Sequence, residues 1–220
     1  LIARGNSSDA LRGSRQALER VESETKDTSH GWLELALGDA LQARGDTITA
    51  CTNYQNCYAR AKNEQDRHLT TASILRLARI AYSTSDFTQA MTLYKKAKIR
   101  YIRDLEDPRG EALADLGIGS TLIMIGDYDK ASDHLQQTQA IFSALPDEGN
   151  KLLTRVYQLI VQDEQSQGQL SISELERLRA EMEQIDYRQP KIFSGIILLR
   201  KYIADRRLDD AISFARQLFD

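Results

Sequence analysis

The sequence predicts an all-α fold, a solenoid of about eleven helices paired into antiparallel hairpins. Three observations predict it. A short turn motif recurs about every 40 residues. Apolar residues recur at helical spacing on both sides of each copy. Three Pro and 12 Gly in 220 residues leave room for long uninterrupted helices and argue against a turn-rich β fold. With 41% of residues apolar, the chain can bury a core, which excludes disorder. Its 29 Lys and Arg against 32 Asp and Glu give a net charge of −3, so no overall field favours nucleic acid or an anionic membrane.

The motif is clearest as Gly126-Asp127-Tyr128-Asp129-Lys130-Ala131. Echoes stand at Gly5-Asn6-Ser7-Ser8-Asp9-Ala10, Gly45-Asp46-Thr47-Ile48-Thr49-Ala50 and Ser85-Asp86-Phe87-Thr88-Gln89-Ala90, with weaker copies at 168–173 and 206–211. The closing small residues Ala10, Ala50, Ala90, Ala131, Ser173 and Ala211 are separated by 40, 40, 41, 42 and 38 positions. Gly followed by Asp or Asn is helix-stop then helix-start chemistry. Gly takes the left-handed position after one helix, and the short polar side chain caps the next.

Taken in order, residues 1–28 form a half repeat in which Gly5 and Ala10 supply a turn and a second helix. The unit's first helix would lie upstream, so a fragment of a longer protein is expected. Full repeats follow over 29–65, 66–107, 108–146, 147–188 and 189–220, all in one repeat domain. Their first helices show the stripes Leu33, Leu37, Leu41; Ile74, Leu77, Ala78, Ala81; and Leu116, Gly119, Leu122, Ile123. Their second helices show Ala90, Met91, Tyr94, Ala97, Tyr101 and Ala131, Leu135, Thr138, Phe142. Pro108, Pro146 and Pro190 are expected in the gaps between units, where they end helices harmlessly.

These residues resemble the tetratricopeptide repeat (TPR): a small residue within the first helix, Gly in the turn, Ala early in the second helix, then an aromatic and a small residue. The first full unit supplies Leu37, Gly38, Gly45, Ala50, Tyr54 and Cys57. The second supplies Leu77, Ala78, Asp86, Phe87, Ala90, Tyr94 and Ala97, and the third Ile118, Gly119, Gly126, Tyr128 and Ala131. The last two units depart from the pattern, with Val161 and Leu199 where a small residue is expected. The long period is similar to that of TPR arrays in signalling proteins, including the sensor domain of MalT-like bacterial transcription activators.

The resemblance implies a right-handed superhelix whose concave groove is lined by outward positions of the first helices. Those positions are Trp32, Leu35, Asp39 and Gln42; Leu75, Arg76, Arg79 and Tyr82; Ser120, Ile123 and Met124; Gln158, Gln162, Phe193, Ile196 and Arg200. Such a groove suits a peptide, a helix or a partner domain, and Arg76 and Arg79 favour an acidic segment because a guanidinium takes a carboxylate bidentately. The expected function is a protein-interaction or sensor module of a larger regulatory protein. The alternative is a small-molecule effector-sensing domain of a MalT-like regulator.

Catalysis is not expected. His30, His68 and His134 are dispersed over three units, and neither Cys51 nor Cys57 has a His nearby in sequence to generate a thiolate. Six residues apart, the two cysteines would lie roughly 120° apart around a helix, badly placed for a disulfide. Gly117-Ile118-Gly119 sits inside a helical pattern and reads as close packing rather than as a phosphate loop. No metal or cofactor is expected, and a reducing, cytoplasmic setting is the default. The cluster Lys95, Lys96, Lys98, Arg100 and Arg103, interleaved with Tyr94 and Tyr101, reads as a solvated helix face, with a protein-binding patch and nucleic-acid contact as alternatives.

Overall fold

A computed structural model describes residues 9, 12–16, 29–166, 171–183 and 188–219. Most of the expected half repeat over 1–28, with its Gly5 turn and Ala10, lies outside the described residues, as does the side chain of Phe193. Residues 9 and 12–16 are helical, and ten α-helices follow from Ser29 on. These are α1 (Ser29–Ala43), α2 (Thr47–Asn63), α3 (Arg67–Ser83), α4 (Phe87–Arg100), α5 (Pro108–Met124), α6 (Tyr128–Ser143), α7 (Glu148–Gln165), α8 (Ile172–Glu183), α9 (Arg188–Ala204) and α10 (Leu208–Phe219). The chain divides into two compact units, residues 1–126 and 127–220.

One turn builds nearly every connection. The second residue after the helix takes a left-handed conformation at Gly45, Gln65, Ser85, Gly126 and Arg206, and Glu106 takes it directly after Leu105. An Asp caps the next helix in five of those cases and again at Asp147. Each cap carboxylate accepts from the backbone N–H three residues on: Asp46 from Thr49 (3.1 Å), Asp66 from Leu69 (2.9 Å), Asp86 from Gln89 (3.0 Å), Asp107 from Gly110 (3.0 Å), Asp127 from Lys130 (3.4 Å) and Asp147 from Asn150 (3.2 Å). The turn between hairpins is thus the same as the turn within them. The sequence motif marks only alternate copies, because Gln65 and Glu106 are not turn residues by type.

One step between caps is longer, and the backbone shows where the extra residue goes. Tyr101–Leu105 winds as a π-helix at the end of α4, and the Asp107 N–H reaches back to the Tyr101 carbonyl at 3.0 Å. A π-turn holds one more residue than an α-turn, which lets the repeat lengthen without breaking the helix. Two of the three prolines correct the sequence expectation. Pro108 is the first residue of α5, just after its cap, and Pro190 lies in the first turn of α9, positions where a missing N–H has no helical partner to lose.

In the first unit each helix packs on the next, and the first helices of successive hairpins also touch, α1 on α3 and α3 on α5. Its core joins Leu35, Leu41, Tyr54, Cys57, Leu69 and Ile80 with the fully buried Ala40, Ala50 and Ala61. Glycines receive aromatic rings there. A methyl at Gly38 would overlap the Tyr54 ring, one at Gly117 the Tyr94 ring, and one at Gly110 the Tyr101 ring. Gly117 is therefore a packing residue, as the helical pattern implied.

In the second unit α6 packs on α7, α9 on α7 and α8, and α10 on α9. One core cluster there is mainly aliphatic, with Leu152, Val156, Leu159, Leu175, Leu178, Ile197 and Leu198 around Tyr202, and the rings of Phe142 and Tyr157 are buried as well. Counted from the cap, the position held by Ala78 after Asp66 and by Gly119 after Asp107 falls in α7 on Leu159, two residues before Val161. Alignment on the later motif at 168–173 therefore displaces the register by two residues.

Candidate functional site

Among the first-helix residues picked out by the sequence, the fold brings three together in the first unit. Asp39 and Gln42 on α1 face Arg76 on α3, a contact made possible because these helices are neighbours. The Arg76 guanidinium grips Asp39 with two bonds, Nε to Oδ1 at 3.2 Å and Nη2 to Oδ2 at 3.1 Å. The Tyr54 hydroxyl, arriving from α2, donates to Asp39 Oδ1 at 2.7 Å and lies 3.1 Å from Gln42 Oε1. Burial, and then the adjacent Asp39 carboxylate, push the Tyr54 hydroxyl far above its ordinary pKa. It remains a neutral donor at any physiological pH.

The other residues take different places. Arg79, one turn beyond Arg76, is exposed, and none of the ion pairs among the described residues involves it. Tyr82 is half-buried, edge-on to Phe87 with ring centroids 6.0 Å apart. Trp32 is 43% exposed. Ser120 departs from the groove expected of it. It is buried, and its hydroxyl bonds the Gly117 carbonyl of its own helix at 3.0 Å. Leu35 and Leu75 are likewise core residues. In the second unit Gln162 is exposed on α7, and Arg200 on α9 pairs with Glu164 at 3.6 Å, a solvent-exposed contact worth little.

Gln162 lines a cavity of about 430 Å³ with Ser132, Gln136, Gln158, Val161, Gln165 and Ser166. The sequence indicated Gln158 and Gln162. Gln165 completes their i, i+4, i+7 spacing, a signal available in α7 alone, but Gln136 and Ser132 come from α6 and required the packing of the two helices. Gln165 Nε2 donates to Asp129 Oδ1 at 2.8 Å.

Several of the residues weighed for catalysis or nucleic-acid contact are tied into the scaffold, while His68, Lys95 and Arg103 are exposed. The Cys57 thiol is buried, 3.1 Å from both the Gly31 carbonyl and the Ser73 hydroxyl, and burial pushes it up to about 11. His30 lies 3.5 Å from Glu34, which also accepts from Arg60 at 3.2 Å. The basic cluster corrects the expectation of a purely solvated face. Lys98 Nζ pairs with the buried Asp115 at 2.8 Å, Arg100 Nε donates to Thr71 Oγ1 at 3.1 Å, and Lys96 sits 5.8 Å from the centre of the Tyr58 ring. These cations join helices instead of presenting a row to a phosphate backbone. Among the described residues no cluster of His, Cys, Asp and Glu could hold a metal ion, and no helix is long and apolar enough to cross a membrane.

The fold is that of the TPR-like repeat proteins, all-α and built from stacked helix hairpins. A Rap protein complexed with Competence and Sporulation Factor matches with a TM-score of 0.76 at 14% identity, over 93% of this chain and 57% of that one. The chain thus spans little more than half of the Rap structure. A Podosopora anserina putative kinesin light chain with nearly identical TPR-like repeats matches at 0.59 and 19% identity, over 89% of this chain and 95% of that one. BtubC (BKLC) from P. vanneervenii matches at 0.61 and 14% identity, over 97% and 87%. No protein-family model matches the chain, and no curated protein matches its sequence.

Proposed function

We propose that the chain is a protein-interaction module that holds an acidic segment of a partner protein against its first unit, with Arg79 as the anchoring charge. The observation that carries this reading is the contrast between two arginines on one helix. Arg76 is saturated by Asp39, whereas Arg79 is exposed and takes part in none of the ion pairs described. The Asp39–Arg76–Tyr54 network fixes α3 against α1, the backbone from which Arg79 extends. Tyr82, one turn on from Arg79 on the same helix, offers aromatic area beside that charge, and the exposed Trp32 lies further along α1. The original groove residues then divide by role: Asp39, Gln42, Arg76 and Ser120 hold the scaffold, while Trp32, Arg79 and Tyr82 face the partner.

That a Rap protein of this fold is complexed with Competence and Sporulation Factor supports reading the fold here as a holder of partners. The likenesses reported add no support for a MalT-like effector sensor. The test is selection from a random displayed-peptide library, followed by fluorescence anisotropy with the selected peptides. Enrichment of Asp and Glu, with binding about tenfold weaker in Arg79→Glu and an unchanged helical signal, is the expected result. Selection without acidic bias, or affinity indifferent to Arg79→Glu, would overturn the proposal.

A further inference from the structure

The capped turn gives α2, α4 and α6 a common register, and α4 breaks the pattern of the other two. Nine, thirteen, sixteen and seventeen residues after the capping Asp86, α4 and the π-turn that prolongs it carry Lys95, Ile99, Ile102 and Arg103. The same positions hold Gln55, Ala59, Lys62 and Asn63 on α2, and Gln136, Ala140 and Ser143 on α6, with Ala144 just past its end. Every one of these residues is exposed. α2 and α6 therefore show what a solvated face of this hairpin is made of: Gln, Ala, Asn, Ser and a Lys. Of the three, α4 alone sets branched apolar side chains there, Ile99 at 51% and Ile102 at 44% exposure.

The fold itself gains nothing from that exception. Ala is the best residue for an exposed helical position, and a β-branched Ile loses side-chain freedom there, so Ile99 is a worse helix former than the Ala of its counterparts. The cations around the two isoleucines divide in role. Lys98 and Arg100 are engaged within the fold, on Asp115 and Thr71, and Arg100 also lies 3.6 Å from Asp104. Among the described residues no ion pair involves Lys95 or Arg103, and Lys96 is exposed above the Tyr58 ring. An apolar centre thus has a positive frame. The steps from Lys95 to Ile99 and on to Ile102 are four and three residues, the seam spacing by which one helix packs on another, where flanking charges choose the partner. From Lys95 to Arg103 the stripe rises about 12 Å, two turns. An anionic bilayer fits less well. Three cations fall short of the roughly four to eight that mark such surfaces, and the exposed Asp104 and Glu106 would meet lipid phosphates at the same end.

We propose that the exposed stripe of α4 docks an acidic amphipathic helix of a partner protein, whose apolar residues cover Ile99 and Ile102 and whose carboxylates meet Lys95, Lys96 and Arg103. This goes beyond the Arg79 reading, because it uses another helix of the hairpin and requires a helical partner with an apolar seam. The two contacts stand or fall separately.

The experiment uses the full chain and a labelled, capped peptide of about 20 residues, long enough to hold a helix, with Leu at alternating three- and four-residue steps and Glu on both sides of that seam. The controls are a scrambled peptide of the same composition and a version with Lys in place of Glu. The variants borrow residues that α2 and α6 already carry at these positions, so the fold is kept: Ile99→Ala with Ile102→Ser, and Lys95→Gln with Arg103→Asn. Fluorescence anisotropy should show the probe bound about tenfold more tightly than either control. The isoleucine pair should weaken it about tenfold with an unchanged melting curve, and the cation pair should weaken it at low salt and flatten its salt dependence. Arg79→Glu should leave this affinity unchanged. Equal binding of the scrambled peptide, or binding indifferent to both double variants, overturns the proposal. So does loss of binding in Arg79→Glu alone, which assigns the probe to the site proposed above and leaves that reading standing. Self-association seen by sedimentation, or binding to phosphatidylserine vesicles, either one abolished by the isoleucine pair while the probe goes unbound, overturns it in favour of a second copy or a lipid surface.

Discussion

The first unit packs tyrosine rings onto glycines; the second packs leucines onto one another. Tyr94 lies on Gly117 in the first, while in the second the fully buried side chains are mostly aliphatic, among them Leu135, Val156, Leu175 and Leu178, joined by the ring of Phe142. The inner contacts differ in the same way. Arg76 on Asp39 ties two first helices together in the first unit, and the second presents the amides of α6 and α7. Both units use the same capped turn, seen at Asp86 and again at Asp127. The turn therefore sets the hairpin, and what fills the space between hairpins is free to set the chemistry of each face.

The comparison breaks most visibly under core substitutions of opposite sense. Gly117→Leu should destabilise the chain by about 3 kcal/mol, because the Tyr94 ring occupies the space that a larger side chain would need. In the second unit Leu159→Ala should cost about 2–4 kcal/mol by leaving a cavity. Urea-denaturation midpoints check both. A second unit that tolerated Leu159→Ala would show that its packing is looser than the buried leucines indicate.

Removing one side of the inner ion pair comes next. Arg76→Met strands a half-buried Asp39 and should cost roughly 1–3 kcal/mol, and Tyr54→Phe, which deletes only a hydroxyl from the same carboxylate, about 1 kcal/mol. A double-mutant cycle over the two should show coupling, since both act on Asp39.

Alkaline pH sharpens the contrast further, because Cys57 belongs to the first unit's core. Its thiol ionises near 9.0 when free of the fold and is pushed up to about 11 within it. The fold's preference for the neutral thiol is complete below the lower value and is lost progressively as pH rises through the upper one. The denaturation midpoint of the wild type should accordingly fall over that interval more steeply than that of Cys57→Ala. Alkylation below it should modify the half-buried Cys51 well before Cys57.

The smallest effect expected is a gain. Gln65, Ser85 and Glu106 occupy the left-handed position without being glycine. Gly at Gln65 or Ser85 should add about 0.5 kcal/mol, the relief of the Cβ clash less the extra freedom of the unfolded chain. The same change at Gly45 or Gly126 in reverse, to Ala, should destabilise.

Those positions also explain how far the sequence could be read. The turns at Gly45, Ser85 and Gly126 stand out because Gly or Ser precedes an Asp and an Ala follows. Their counterparts at Gln65 and Glu106 do not, since the left-handed conformation there is imposed by helices already packed on either side. The buried Ala50, Ala90 and Ala131 follow from periodicity alone. The partner of Arg76 does not, because Asp39 lies 37 residues away and the pairing depends on which faces of α1 and α3 meet. Ser120 illustrates the same limit: its position along the helix was legible, and its burial depended on the neighbours. Gln158 and Gln162 of α7 were legible as groove positions, but the cavity they line needed α6 to supply its other wall.

The most direct test of the account is the affinity of an acidic peptide for Arg79→Glu relative to wild type, read at low and moderate salt. The account predicts binding weakened about tenfold by the substitution, with wild-type binding falling as salt rises and the melting curve unchanged. Equal affinity in the two proteins, insensitive to salt, would contradict it.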